Sequence, residues 1–519
     1  MVSGNRPRIV ELIDMSDEID RQEVARPRIL DLSHSVFVRI LVMASLLVVW
    51  GWRETIHLPS LLDGEIWQHL RTGGWILQHS AVPRTGLFSQ HSDLPWIVPE
   101  WGFDLALGVG YKFLGLRAIP VLILCVKVIL ALVVFLLAGG LRNHFWYAVL
   151  LSCIGQYLLF NMPPSSVLLS VLFYGIELTL LLWSRRSGSA RSLLWLPPLF
   201  ACWANFDIQF AYGLLVLGLF LAAVLIERLC RNYGISWDGG PKQSLSLTSV
   251  STMSAASLIA SVLSPYTYHP FRAFLQSSVG PASLSHLKEL HSMSFRQPQH
   301  YVLLLLVMAA FLVLGARRSR DVFKIALMVF CTPFAFHRQG DAWFVVLPAI
   351  AIIADTLLWK QPANDTLTDA RIWTMENLAT AVLTILLLAV ATARIPRSDG
   401  DLLARARGTF PIQAANFIKR NNLPRPMFNT YEWGGFLIWY LPDYPVSIDG
   451  RNDLYGSDRN DLYFMVTSGS QPLDTDADFM KARTILLARN SGIGSALSKM
   501  PGFKVVYSDD LAIVLQPEP

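Results

Sequence analysis

The run AIPVLILCVKVILALVVFLLAG, from Ala118 to Gly139, decides what kind of protein this is. It is long enough for one helix to cross a hydrocarbon core of about 30 Å, which takes roughly 17 to 25 residues. Apolar segments of this sort recur near 36–53, 98–116, 118–139, 143–160, 164–183, 192–205, 208–228, 248–265, 300–316, 321–337, 341–359 and 376–394. Several are short enough to be tilted, broken or re-entrant. The 519 residues are 53% hydrophobic and 16% charged. That balance excludes an ordinary soluble domain and points to an α-helical polytopic membrane protein.

Charge supplies the expected orientation. The net charge of +5 is small, and the basic residues gather at segment ends as Arg185/Arg186/Arg191, Arg228/Arg231/Lys242, Arg317/Arg318/Arg320/Lys324 and Lys360. This is the pattern of a positive-inside bias, and it argues for topology and against nucleic acid. Residues 53–97, 266–299 and 337–340, and everything after about 395, then face outward. Residues 1–35 mix arginines with acids, lack a signal-peptide pattern and read as a cytoplasmic tail. If all twelve segments crossed, the Arg185 cluster would fall outside, so one earlier segment is expected not to cross. The segment 143–160, flanked by Gly139-Gly140 and Asn161-Met162-Pro163-Pro164, is the expected half-length or re-entrant element, leaving eleven crossings. No inverted internal repeat is visible, which counts against a transporter. The five cysteines lie in or beside apolar segments, in no disulfide or Cys/His metal spacing.

Composition changes near 396. A helix over 413–421, strands at 446–448, 484–488, 503–507 and 511–515, and a helix over 491–499 make residues 396–519 an outward α/β domain. The first strand leads into Asp449-Gly450-Arg451. In an open α/β sheet the carboxyl ends of strands border the ligand crevice, which makes Asp449 and Arg451 candidates. The plainer alternative is a turn held by an Asp–Arg pair.

The chemistry is expected in the first outward loop, where Asp63-Gly64-Glu65 precedes the amphipathic run Ile66 to Leu77. Asp63 can cap that helix, and Glu65 in its first turn sits at the positive end of the helix dipole. Ile66, Leu70, Gly73 and Leu77 form one stripe, and Glu65, His69 and Thr72 the next, so the helix can lie along a bilayer. An interfacial helix with an acidic cap and no chemistry has the same pattern. The acid pair suits a divalent cation such as Mg or Mn, or a general base acting without metal. Glu65 and His69 lack a third zinc ligand at a defined spacing. Asn205 and Asp207 form a second polar group, and His337, Arg338 and Asp341 a third. Arg338 is the best-placed cation for a phosphate, with Arg71 and Arg84 competing and a salt bridge to Asp341 as its structural alternative. Nine of the eleven histidines are His57, His69, His79, His91, His269, His286, His291, His300 and His337; all nine lie in or beside outward loops, where histidine is commonly just solvated.

These features resemble the GT-C superfamily of integral-membrane glycosyltransferases, which includes protein O-mannosyltransferases, the aminoarabinose transferase of lipid A and oligosaccharyltransferases. More closely, Asp63 to Gly73, Pro95-Trp96 with Glu100-Trp101, Trp203-Ala204-Asn205, and Glu432-Trp433-Gly434-Gly435 with Ile448-Asp449-Gly450-Arg451 resemble a bacterial family of GT-C-like membrane proteins over nearly the whole chain. The resemblance implies transfer of a sugar from a polyprenyl-phosphate-linked donor, with inversion, on the outer side of the bacterial inner membrane. It implies Asp63 as the general base on the acceptor hydroxyl and Glu65 as a second acid steering substrate or a metal. The family pattern has Asp where Glu65 stands, and His and Gly where Asp207 and Ile208 stand, so Asn205 carries over better than Asp207. The implied partners are membrane lipids, the lipid-linked donor and a glycan, lipid or protein acceptor. A non-catalytic scaffold that binds a lipid-linked glycan or assists envelope assembly is the competing reading.

Overall fold

The computed structural model describes residues 35–140, 145–233, 245–278, 291–358 and 375–518. The tail 1–34, His286, Lys242 and Lys360 lie outside these residues. The helices of the first part are α1 (Val36–Val49), α2 (Arg53–Ile56), α3 (Gly64–His79), α4 (Trp101–Leu114), α5 (Ala118–Leu137), α6 (Phe145–Leu158), α7 (Val167–Ser187), α8 (Leu196–Trp203) and α9 (Phe210–Asn232). They are followed by α10 (Leu247–Ala260), α11 (His269–Ser278), α12 (Pro298–Ala316), α13 (Val322–His337), α14 (Trp343–Leu358) and α15 (Met375–Ala393). Each of the twelve apolar segments is therefore helical. Among the described residues six stretches are long and apolar enough to cross a membrane, the longest being α4 and α5 in near continuity over Trp101–Leu137. Pro197 and Pro198 open α8, which is preceded by a 3₁₀ turn over Ala190–Trp195, and eight residues rise only about 12 Å.

Ionic and polar contacts define two ends of the bundle. At a basic end, Arg185 at the close of α7 pairs with Glu227 on α9 at 2.6 Å and with Asp321, the cap of α13, at 2.7 Å. There Lys324 also meets Asp355 near the end of α14 at 2.5 Å, and Arg186 joins the same carboxylate. At the opposite, acidic end, Ser170 at the start of α7 donates to Asp207 just before α9 at 2.8 Å, and Tyr212 donates to Asp341 just before α14 at 2.8 Å. The segments expected to face one side (the first loop, Asn205 and Asp207, residues 338–341 and the C-terminal region) do gather at this acidic end.

The expected non-crossing element is corrected. Both ends of α4 lie at the acidic end: Trp101 donates to Asn205 at 2.9 Å, and the Leu116 amide just beyond α4 donates to Asp399, beyond α15, at 2.9 Å. Helix α6 instead starts against the far end of α5, Phe145 on Phe135, and finishes where Gln299 of α12 donates to the Tyr157 carbonyl. Placing α4 across one end, with α6 returning, puts the Arg185 cluster on the side its charge demands. A strongly apolar composition hid this, because α4 buries Phe103, Leu107 and Gly108 within the protein itself.

Beyond α15 come α16 (Asp399–Ala406), α17 (Ile412–Arg420), β1 (Met427–Asn429), α18 (Gly434–Tyr440), α19 (Asn452–Thr467), α20 (Ala477–Lys481), β2 (Thr484–Ala488), α21 (Gly492–Leu497), β3 (Phe503–Ser508) and β4 (Ala512–Pro517). The sheet order is β1-β2-β4-β3, with β1 parallel to β2 and the other pairs antiparallel. The expected strand at 446–448 is not part of it. Val446 instead exchanges backbone hydrogen bonds with the first loop, its N–H to the Phe88 carbonyl at 3.1 Å and its carbonyl from Gln90 at 3.0 Å. Among the described residues no parallel strand ends at Asp449 and Arg451, so they border no open-sheet crevice.

The C-terminal region is packed onto α3. Trp67, fully buried, meets the edges or faces of Phe410, Phe436 and Trp439. Gly64 and Gly435 make this approach possible, because a Cβ on Gly435 would collide with the Gly64 carbonyl and one on Gly64 would stand 2.8 Å from the Glu432 carbonyl.

Candidate active site

Asp63 has extended backbone angles, and its Oδ1 accepts the Glu65 amide at 2.8 Å, so it caps α3 as the sequence suggests. Burial raises its carboxyl pKa, opposed by that amide and by the positive charge of His69. Glu65 is exposed, with Gly450 against its side chain. The stripe Ile66, Leu70 and Gly73 is buried, and so are His69 and Thr72 on the neighbouring stripe, whereas Leu77 is exposed. The helix is thus clasped between α4 and α18 rather than resting one clean face on lipid.

One and a half turns along α3, buried His69 places Nδ1 2.6 Å from Asp104 Oδ1 on α4, with the ring edge-on to Phe103. The close approach behind this pair comes from Gly73 and Gly108. A Cβ on Gly73 would run into the Asp104 carbonyl, and one on Gly108 would lie 2.6 Å from the Gly73 carbonyl carbon. Burial works against a protonated ring, but Asp104, Glu100 and Glu65 outweigh it and hold the His69 pKa at about 9. His69 is therefore favoured as an imidazolium at neutral pH, a cation within a cluster of acids.

Glu100 precedes α4 and its carboxylate makes no hydrogen bond within the described residues. Burial, then the Asp207 carboxylate, push its pKa up to about 8, against the pull of His69. Asp207 accepts from Ser170 and sits at about 6 because it is buried. Asp453, in the C-terminal region, is also raised to about 6 by burial, with Arg451 opposing. Mutual electrostatic influence thus ties Asp63, Glu65, His69, Glu100, Asp104, Asp207 and Asp453 into one group. Several of its carboxyls are poised near neutrality, the condition under which a carboxylate works best as an acid or base.

No family model and no curated protein matches the chain. Solved structures do. An oligosaccharyltransferase from Archaeoglobus fulgidus, tethered to an acceptor peptide with an NVT sequon, matches at TM-score 0.51 and 11% identity over 88% of this chain and 69% of its own. ArnT from Cupriavidus metallidurans in its apo state matches at TM-score 0.45 and 14% identity, covering 93% of this chain and 98% of its own. The same ArnT bound to undecaprenyl phosphate gives TM-score 0.43 and 15% identity, over 92% and 97%. The fold is GT-C-like.

Within this GT-C-like fold the remaining expected site residues separate by role. Asn205 is a clamp: its Oδ1 accepts from Trp101, and its Nδ2 donates to the carbonyls of Ala201 at 2.7 Å and Leu263 at 2.9 Å. Arg451 pairs with Asp449 through two hydrogen bonds, 2.8 and 2.6 Å, donates to the Leu87 carbonyl at 2.6 Å and covers Trp96. Tyr455 donates to the same carboxylate at 2.6 Å. Both Asp449 and Arg451 are buried, so this is the turn-forming pair of the plainer alternative, and it ties the C-terminal region to the first loop. Arg71 lies over Phe88, half-buried. His337 is exposed and Arg338 half-buried at the end of α13, and Asp341 takes the Tyr212 hydroxyl.

Asp104, Glu100 and Asp453 were missed. Glu100 stands in a motif that carried the family resemblance, and Asp104 is one helical turn further along in an apolar segment, where an acid is a functional candidate by default. Among the described residues no group of three His, Cys, Asp or Glu side chains could hold a metal alone. Asp63 and Glu65 fit the sparser mode in which one or two carboxylates share an ion with substrate phosphate and water.

Proposed function

We propose that this chain is a membrane glycosyltransferase that moves a sugar from a polyprenyl-phosphate-linked donor to an acceptor on the extracytoplasmic face, with inversion. The observation that carries the reading is a half-buried helix-capping carboxylate, Asp63, beside a buried imidazolium, His69, at the acidic end of a GT-C-like bundle. The basic end, with Arg185, Arg186 and Lys324, is read as cytoplasmic by the positive-inside bias. The acidic end and residues 396–519 then face outward in the bacterial inner membrane.

In the proposed reaction Asp63 takes the proton of the acceptor hydroxyl as its oxygen attacks the anomeric carbon. The bond from that carbon to the lipid phosphate breaks on the opposite face, which inverts the centre. A base of this kind contributes about 10² to 10⁴ in rate. His69, held charged by Asp104, offsets the negative charge that grows on the departing phosphate. If the reaction uses a divalent cation, Asp63 and Glu65 hold it and it screens that same charge.

The test is a radiolabelled polyprenyl-phosphate-sugar assay of purified protein with a panel of acceptors, with and without chelator. Asp63→Asn is expected to abolish transfer while the protein inserts and elutes normally. Full activity in that variant removes the base assignment. Donor binding by the native chain with no turnover on any acceptor points to the scaffold reading.

A further inference from the structure

A cavity lies away from the acidic cluster, on the outer face of the bundle where α1, α2 and α15 meet. Its volume is about 640 Å³. Ser45, Val48, Val49, Trp52, Arg53 and Ile56 follow one another at helical three- and four-residue spacing along its wall. Leu387 of α15 and Phe160 close the other side. From Ser45 on α1, through the turn at residues 50–52, to Arg53 at the start of α2 the wall is on the order of 10 Å at helical rise, near the depth of one leaflet of a core about 30 Å thick. The groove opens sideways: Val49 is 61% exposed, and only 17% of the apolar window of α15 is covered by the rest of the protein. Small Ser45 at its deep end leaves the room that a larger side chain would fill.

The mouth is basic. Arg53 and exposed His57 line it, Arg53 lying over the Phe160 ring at 5.0 Å, and Arg394 lies over the ring of the lining residue Trp52 at 5.0 Å. Among the described residues neither arginine has a carboxylate within ion-pair distance; the nearby Glu54 is buried and spent on Lys127 at 2.6 Å. An arginine that only snorkels extends past apolar surface to reach water. These two instead lie over ring faces, which holds each guanidinium in place and leaves N–H groups for a phosphate.

We propose that this groove is a binding site for one anionic glycerophospholipid, its acyl chain along α1 and its phosphate between Arg53 and Arg394. The site stands independently of the transferase reading. A hydrocarbon-deep groove alone would accept any lipid, and the unpaired cations at its rim select for charge. The same chemistry would suit a polyprenyl phosphate, and the experiment separates the two.

The purified full-length chain is stripped of lipid and titrated with phosphatidylglycerol, phosphatidylcholine of the same acyl chains, or a polyprenyl phosphate, and bound lipid is counted by native mass spectrometry. One phosphatidylglycerol is expected to bind at least fivefold more tightly than phosphatidylcholine. Arg53→Gln with Arg394→Gln should erase that preference, and Ser45→Trp should block occupancy with both arginines present. All these positions are at the exposed rim or lipid face, and unchanged elution and melting confirm folding. Equal retention of both phospholipids, or retention unaffected by the charge and filling variants, overturns the proposal. So does a polyprenyl phosphate that displaces phosphatidylglycerol one for one with higher affinity.

Discussion

Replacing Asp104 with Asn is the most direct way to ask whether the buried His69–Asp104 pair is charged. The rise of the His69 pKa from its ordinary 6.5 to about 9 corresponds to about 3 kcal/mol of preference for the imidazolium in the folded protein. A raised histidine pKa stabilises the fold fully below about pH 6.5, and that contribution is lost as pH climbs through 9. Glu100, raised to about 8, acts in the same direction but earlier, since its neutral form is favoured and its contribution is gone once pH passes 8. Between pH 8 and about 9.5 the remaining slope therefore belongs to His69 within this cluster. Melting of purified protein in one detergent at a fixed scan rate, needed because such unfolding is commonly irreversible, should fall steeply over that window. Asp104→Asn should start lower at pH 7 and be nearly flat there, and His69→Gln should behave alike. The double variant should add little, as expected of two members of one interaction. An Asp104→Asn protein that keeps the full native slope above pH 8 would falsify the claim that this carboxylate holds the ring charged.

Further outcomes follow from the packing. Gly73→Leu should cost about 3 kcal/mol or more and cut the yield of monodisperse protein, whereas neighbouring Gly74→Leu, where a Cβ meets nothing within 4 Å, should be tolerated. Equal behaviour of the two would contradict the close crossing of α3 and α4. Asp449→Asn leaves Arg451 buried without its partner, so about 3 to 5 kcal/mol should be lost; faster proteolysis between the first loop and the C-terminal region reports it, and native resistance counts against the clamp. Glu100→Gln cannot ionise, so it should flatten the decline in melting temperature between about pH 4.5 and 8, matching native protein near pH 4.5 and exceeding it at pH 7. A native slope across that range would show that Glu100 does not titrate late.

How much of this could be read in advance varies with range along the chain. The twelve apolar segments, the cap at Asp63 and the helices over 412–420 and 492–497 are local patterns, and each is where periodicity puts it. The prolines at 197 and 198 already warn that the segment 192–205 cannot be one long helix. The 446–448 segment differs from expectation because the apolar–polar–apolar alternation of Val446-Ser447-Ile448 looks the same whether it pairs with a sheet or, as here, with Phe88 and Gln90 of a distant loop.

Composition and charge in this chain suffice for a membrane bundle with a basic side, an acidic side and an acid-capped helix just after the first apolar segment. They suffice because hydrophobic length, helix capping and end charge act over a few residues or on whole segments. The pairing of His69 with Asp104, thirty-five residues away, the roofing of Glu65 by Gly450 and the turning of α4 across one end arise only when the chain folds back on itself. Their physical cause is contact between groups far apart in sequence, admitted by two glycines at one crossing and driven by the cost of leaving a buried charge unpaired.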